Sequence, residues 1–342
     1  MVNVNPVDAV GESRTRPGVT VAFVEDIARE AGHTLRKFFS DRDKKVDTKE
    51  SPADLVTEFD KAIEDHLKKR IREAFPTHQF LCEEQRFLLE RKSTQSLTAA
   101  ELGIQKRIDG TTNFVHTLPF TCVSIAFAVN KEVVVGVVYA PILNEMFSAE
   151  KGKGAFLNGE RIYTSGRRDP SCAVVCCGFS VGTIRKIDMP GCDLAVKTAA
   201  RDIERCVLNN LTYCSHNCRD IRHLGSTALE LCYVAAGRMD AYQSLGPKEW
   251  DFAAGILIVQ EAGGCVIDFD GKPLELHQRR AIAGSTEELA RSFVGNLMAP
   301  GLSTAVDGPG VKTLCSAKKP VLEAAAEQLK WHGGEDVAVV VY

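Results

Sequence analysis

Ile108-Asp109-Gly110-Thr111-Thr112-Asn113 is the stretch on which the reading of this chain turns. An acid stands directly before a Gly-Thr-Thr turn, at a boundary between elements rather than on a solvated helix face. The backbone N–H groups bared by such a turn, with a threonine hydroxyl beside them, suit a phosphate. Working outward, Gln79 to Cys82 reads as a short apolar strand ending in Glu83 and Glu84, and Asp251 opens an apolar helix after Trp250. Each acid alone has a plainer reading: Asp251 as a helix N-cap, Glu83 and Glu84 as surface charge. Together they offer the carboxylate oxygens that a hard cation such as Mg2+ takes while keeping waters for chemistry.

The flanking elements follow from periodicity. Val24, Ile27, Ala28, Ala31, Leu35 and Phe38 recur at helical spacing and predict an amphipathic helix over Val21 to Phe39. Phe59, Ile63, Leu67, Ile71 and Phe75 predict a second over Thr57 to Phe75, with Pro76 just past its end. Phe120 to Asn130 and Glu132 to Tyr139 read as a hairpin, followed by short strands at Met146 to Ser148 and Ala155 to Leu157. In the second half, strands at Ala173 to Cys177, Cys265 to Asp268 and Ala281 to Ala283 alternate with helices. Those helices are predicted over Asp193 to Cys206, Ser226 to Ala236 and Asp251 to Ala262. Residues 1–20 read as a loose N-terminal arm and Arg91 to Glu101 as a mobile loop. The tail from Pro300 is rich in Gly, Pro and Ala, with one candidate helix, Val321 to Trp331, and a β-prone end, Val337 to Tyr342.

Composition bounds the function. The 342 residues are 44% hydrophobic and 25% charged, enough apolar side chains for a large packed core. A formal net charge of −3 argues against a polyanion-binding surface spread over the whole chain, so nucleic acid is not an expected partner and any anion site is local. No apolar run approaches the roughly 20 residues that cross a bilayer, and Met1 to Arg16 lacks the apolar stretch of a secretory signal, so the cytoplasm is the expected address. The 12 cysteines lie mostly in apolar runs and read as reduced, buried thiols. Cys214, His216 and Cys218, with His223 nearby, could also be read as soft-metal ligands, though no second cysteine pair at zinc-finger spacing accompanies them.

The motifs, in order and interval, resemble the inositol monophosphatase family. The resemblance is carried by Asp54-Leu55-Val56-Thr57 with Asp60, Phe80-Leu81-Cys82-Glu83-Glu84, Asp109-Gly110-Thr111-Thr112-Asn113-Phe114-Val115-His116 and Trp250-Asp251-Phe252-Ala253-Ala254-Gly255. Gly136-Val137-Val138-Tyr139, Lys151-Gly152-Lys153-Gly154-Ala155-Phe156 and Glu261-Ala262-Gly263-Gly264 extend it from about Val21 to Gly284.

The resemblance implies a layered αβαβα sandwich, with an α+β half over residues 21–165, an α/β half over 166–299 and an extension of unassigned role over 300–342. It also implies Mg2+-dependent, lithium-sensitive hydrolysis of myo-inositol monophosphate or a related polyol or sugar phosphate. Two or three Mg2+ ions are implied, held by Glu83, the Ile108 carbonyl, Asp109 and Asp251, with Lys49 close by. Thr111 and Glu83 would orient the attacking water, Asp60 would polarise Thr111, and the Gly110 and Thr111 amides would hold phosphate. Substrate contacts would come from Asp109, Gly110, Thr111, Gly225, Ser226, Thr227, Asp240, Ser244 and Asp251. A homodimer is expected, since the family is commonly dimeric.

The chain departs from that pattern in places. The family reads Asp-Pro-Ile-Asp-Gly-Thr, and its first Asp bridges metals; here Lys106-Arg107 precede Ile108-Asp109. The exchange turns −1 into +1 at a place where pair energies of a few kcal/mol are expected. Three physical outcomes follow. Lys106 stands in for a cation and still attracts phosphate, or it turns outward and leaves a poorer metal site. In the third, the fold serves as a catalytically impaired, phosphometabolite-binding or regulatory protein. Ser244 also replaces the Glu that bonds sugar hydroxyls in inositol-specific members, and Lys248 stands where a His is common.

Overall fold

The computed structural model describes residues 19–41, 46–48, 55–76, 78–82, 103–105, 108–129, 132–302 and 337–341. The first helix, α1 (Val21–Phe39), has the bounds its periodicity predicts, with Thr20 as N-cap accepting from the Phe23 amide at 3.3 Å. A strand pair, β1 (Val46–Thr48) and β2 (Leu55–Thr57), precedes α2 (Glu58–Ala74). Then come β3 (Gln79–Cys82), β4 (Gly103–Gln105) and a short helix, α3 (Thr111–Val115). The predicted hairpin is antiparallel β5 (Val123–Val129) and β6 (Glu132–Ala140). It is extended by β7 (Glu145–Glu150), β8 (Gly154–Leu157) and β9 (Glu160–Ile162).

The second half holds β10 (Val174–Phe179), α4 (Val181–Arg185), α5 (Leu194–Asn217), β11 (Asp220–Arg222), α6 (Thr227–Ala235) and β12 (Ala241–Leu245). After them come α7 (Glu249–Glu261), β13 (Cys265–Ile267), β14 (Arg280–Gly284), α8 (Glu287–Ser292) and, near the C-terminus, β15 (Val337–Val341). One sheet has eight strands in the order β4-β3-β15-β5-β6-β7-β8-β9 and the other five in the order β11-β10-β12-β14-β13.

The layers follow from which face each strand buries. On β5, Val123, Ile125 and Phe127 pack with α1 and α2, whereas Ala126 and Ala128 pack with α6 and α7. The five-stranded sheet splits likewise: Cys176 and Tyr242 face α6 and α7, while Val175, Cys177 and Leu245 face α5 and α8. Successive strand residues point to opposite faces, so both sheets are buried on both sides and their strands read as nearly continuous apolar runs. The outcome is the expected αβαβα sandwich, with α6 and α7 between two sheets. Helix α7 passes close over Gly136 of β6, where a Cβ would stand 2.9 Å from the Ala254 carbonyl oxygen.

The structure corrects two helix bounds. The helix predicted to stop at Cys206 runs on to Asn217. Its C-terminal half is rich in Asn, Thr and Ser, which disfavour helix interiors because they compete for backbone groups. Here those side chains bond back along the helix, Thr212 Oγ1 to Leu208 O at 2.8 Å and Asn217 Nδ2 to Tyr213 O at 2.8 Å. Buried Asn210 is satisfied from outside, donating to Met298 O at 2.9 Å. The helix predicted from Asp251 begins instead at Glu249, with Lys248 as N-cap.

Candidate active site

Asp109 is pinned from both sides in sequence. Its amide donates to Cys122 O at 2.9 Å and its carbonyl accepts from the Cys122 amide at 3.0 Å, an isolated bridge beside the entry to β5. Gly110 then turns the chain with φ +81°, and a Cβ there would lie 2.4 Å from Phe120 O, so only glycine fits. The turn starts α3, and the Thr111 hydroxyl donates back to the Ile108 carbonyl at 3.0 Å.

The Asp109 side chain is 4% exposed. A buried carboxylate must be satisfied, and α6 supplies the partners. Ser226 Oγ donates to Asp109 Oδ2 at 2.5 Å and the Ala228 amide donates to the same oxygen at 2.9 Å. Ser226 is also the N-cap of α6, accepting from the Leu229 amide at 3.4 Å. The positive end of the helix dipole therefore meets the carboxylate.

The loop that delivers Ser226 is itself clamped. Asn113 Nδ2 donates to both Phe120 O and Leu224 O at 2.7 Å. Glu230 Oε1 accepts from the Leu224 amide at 2.6 Å and the Gly225 amide at 3.2 Å. Glu230 is 1% exposed, and burial pushes its carboxyl up to about 8, against the pull of those two amides and with a further push from the Asp109 charge. It therefore keeps its proton at neutral pH. Cys122 and Glu230 do not stand out in the sequence, and Asn113 does so only as part of the Gly-Thr-Thr-Asn stretch, with no role of its own. A lone acid on an otherwise apolar α6 was the available signal for Glu230.

The remaining expected residues fall into different settings. Asp251 is half-buried at the third position of α7, not at its N-cap, and Oδ2 accepts from the Lys248 amide at 2.7 Å. Asp60 lies buried on the first turn of α2, beside core residues Phe59 and Ile63. Thr227 is half-buried as the first residue of α6. Ser244 is buried against Gly178, where a Cβ would come within 2.6 Å of its hydroxyl. Asp240 is engaged in tying segments together: Oδ1 accepts from Ser165 Oγ at 2.5 Å and Arg167 Nε at 3.1 Å, and Oδ2 from the Val174 amide at 2.8 Å. Glu83, Glu84, Lys49, Lys106 and Arg107 lie outside the described residues, as do the Arg91 to Glu101 loop and the candidate helix Val321 to Trp331. Among the described residues, no three His, Cys, Asp or Glu side chains converge as a metal cage.

Comparison with known proteins gives the family of the chain. The model of the inositol monophosphatase family matches residues 19–298. Human inositol monophosphatase 2 is 39% identical over 264 residues, covering 77% of this chain and 85% of that protein. Nus factor SuhB of Pasteurella multocida is 41% identical over 244 residues, covering 71% and 83%. Among solved structures, the extragenic suppressor protein SuhB of Bartonella henselae superposes with a TM-score of 0.67 at 32% identity, over 82% of this chain and 98% of that one. With matched residues running from the start of α1 through the last helix of the sandwich, the chain belongs to the inositol monophosphatase family, a family of phosphatases.

Proposed function

We propose that this protein is a Mg2+-dependent phosphomonoesterase acting on myo-inositol monophosphate or a related polyol or sugar phosphate. The observation that carries the reading is the buried Asp109 carboxylate, fixed through Oδ2 by the Ser226 hydroxyl and the Ala228 amide at the N-terminus of α6. A carboxylate buried at this cost beside a Gly-Thr turn, rather than replaced by an apolar residue, marks a functional site.

The donor chemistry suits a hard divalent cation: Asp109, Asp251, Glu83 and the Ile108 carbonyl all offer oxygen. When bound, Mg2+ neutralises phosphate charge and acidifies a water. The chain's own residues supply the rest. The Gly110 and Thr111 amides hold the phosphate. The Thr111 hydroxyl, donating to Ile108 O, leaves oxygen lone pairs to accept a hydrogen bond from the attacking water. Glu83 takes the proton from that water, and Asp60 polarises Thr111 once the Thr111 proton turns from Ile108 O to the Asp60 carboxylate. Gly225, Ser226 and Thr227 meet the polyol at the start of α6, whereas Asp240 is taken up by Ser165, Arg167 and the Val174 amide. The cytosol and a homodimer complete the proposal; among the described residues no helix is long and apolar enough to cross a membrane.

A second reading is favoured by one specific observation, Lys106 in place of the family's bridging Asp: a catalytically impaired homologue that binds a phosphometabolite or regulates a partner. A relative bearing the name Nus factor SuhB is compatible with a regulatory role in the family. Calorimetric titration with Mg2+, followed by phosphate release from inositol 1-phosphate, separates the two. We expect turnover that falls more than ~100-fold in Asp109→Asn, since even outer partners of metal ligands are worth ~10–100-fold. Lys106→Asp with Arg107→Pro is expected to raise it severalfold. No heat and no turnover at high Mg2+ would leave only the second reading.

A further inference from the structure

Two separate pieces of chain share the edge of β5 that faces away from β6. Asp109 bridges Cys122 in antiparallel sense, and further along the same edge β15 runs antiparallel to residues 125–129, with Val341 opposite Ile125, Val340 opposite Ala126 and Val339 opposite Phe127. The bridge fixes a register for whatever precedes Asp109. Counted back one residue at a time, it assigns Ile108 to Val123, Gln105 to Ala126 and Ile104 to Phe127. Ile108 obeys it: the side chain is fully buried in the cluster that holds Val123 and Ile125, the face that a partner of Val123 must share. Ile104 and Gln105 do not. They stand in β4, on the far side of β3, opposite Leu81 and Cys82. The places on β5 that the register assigns to them are filled by Val339 and Val340.

We propose that β15 is a displaceable strand that competes with residues 103–107 for this edge of β5, and that its release lets the segment leading into Asp109 pair with β5 in the register of the Asp109–Cys122 bridge. The exchange moves the stretch that carries Lys106 and Arg107, where the chain departs from the family pattern, and so acts on the entry to the candidate active site. Only this consequence for turnover rests on the phosphatase reading.

Three features favour the exchange. Strands β15 and β4 are both parallel to β3, and β15 is antiparallel to β5, so β4 fits the vacated place without reversing its direction. The β3–β4 ladder joins two residues to two, so little pairing is broken when β4 leaves it. Between Leu302 and Val337 lie 34 residues of sequence (303–336), length enough for β15 to depart without pulling on the five-stranded sheet. Composition explains which segment holds the place in this structure: β15 is Val at four of its five positions, whereas β4 opens with Gly.

Hydrogen exchange of the full chain tests the pairing without reference to turnover, so its failure is distinct from failure of the phosphatase reading. Cys122 trades both backbone bonds with Asp109, so Ala126, four residues on, turns its amide to the same edge. Val340→Pro removes the β15 amide opposite Ala126 and breaks that strand. In this variant we expect the Ala126 amide to stay protected and residues 103–107 to exchange at least ~10-fold more slowly than in wild type, as a strand that gains a second neighbour does. Unchanged or faster exchange in residues 103–107, or an Ala126 amide laid bare, overturns the proposal. If Val340→Pro does not fold, the wild type decides in low urea: β15 amides that exchange ahead of those of β6 support a removable strand, and exchange of both only on global unfolding overturns it.

Discussion

Helices α1 and α7 are both well packed, yet they treat polar residues in opposite ways. In α1, Val24, Ile27, Ala28, Ala31 and Leu35 form one buried stripe, and the other face carries Asp26, Arg29, Glu30, Arg36 and Lys37. On that face Arg29 pairs with Glu25 and Asp26 at 3.2 Å in solvent. In α7, which lies between the two sheets, every residue from Phe252 to Val259 is buried, so no face is left for solvation. Its neighbour α6 is the same from Ala228 to Ala235. A polar group in the outer layer costs little and signifies little. In the inner layer each one must be satisfied or used, and Glu230, Ser226, Glu249 and Asp251 are among those that remain.

The largest effect expected from this contrast is on packing. Phe252→Ala in α7 leaves a cavity enclosed by two sheets, and we expect a loss of about 3–5 kcal/mol in urea unfolding. A loss near zero would mean that the inner layer is not close-packed. Next comes Glu230. Its carboxyl is raised from 4.5 to about 8 in the fold, so between those values the folded chain binds the extra proton. Stability is therefore highest below about 4.5 with respect to this group and falls as pH rises to 8, by an amount on the order of a few kcal/mol. Glu230→Gln keeps an acceptor oxygen and cannot ionise. Measured with chelator present, the variant should match wild type near pH 5 and exceed it at pH 8 to 9; parallel profiles would contradict the assignment. The smallest effect belongs to the outer layer: Arg29→Ala removes exposed pairs and should change stability by no more than ~0.5 kcal/mol, diminishing further with salt.

The same contrast explains which parts of the molecule could be read in advance. One-sided burial writes a period into the sequence, so α1 was legible to both of its ends and α2 nearly so. Helix α7 carries no such stripe, and its predicted start falls two residues late, which is why Asp251 offers a plainer reading as an N-cap beside its reading as a metal ligand. Strand β12 was missed because Ala241 to Leu245, with Gln243 and Ser244 at its centre, does not alternate; it is recognisable as a strand only between β10 and β14. Val337 to Tyr342 was legible as β-prone, but its insertion between β3 and β5 was not.

For the site, Asp109, Gly110 and Thr111 stood out because an acid, a positive-φ glycine and a hydroxyl in succession have few structural uses. The partners that hold them did not, since Ser226 and Ala228 lie 117 and 119 residues away. The amino-acid sequence by itself determined the amphipathic outer helices, the apolar strands and the family, because local periodicity and short motifs are properties of neighbours along the chain. Only the tertiary structure decided which carboxylate is buried and which keeps its proton. Those states depend on desolvation and on contacts between residues that become neighbours only when both sheets close over α6 and α7.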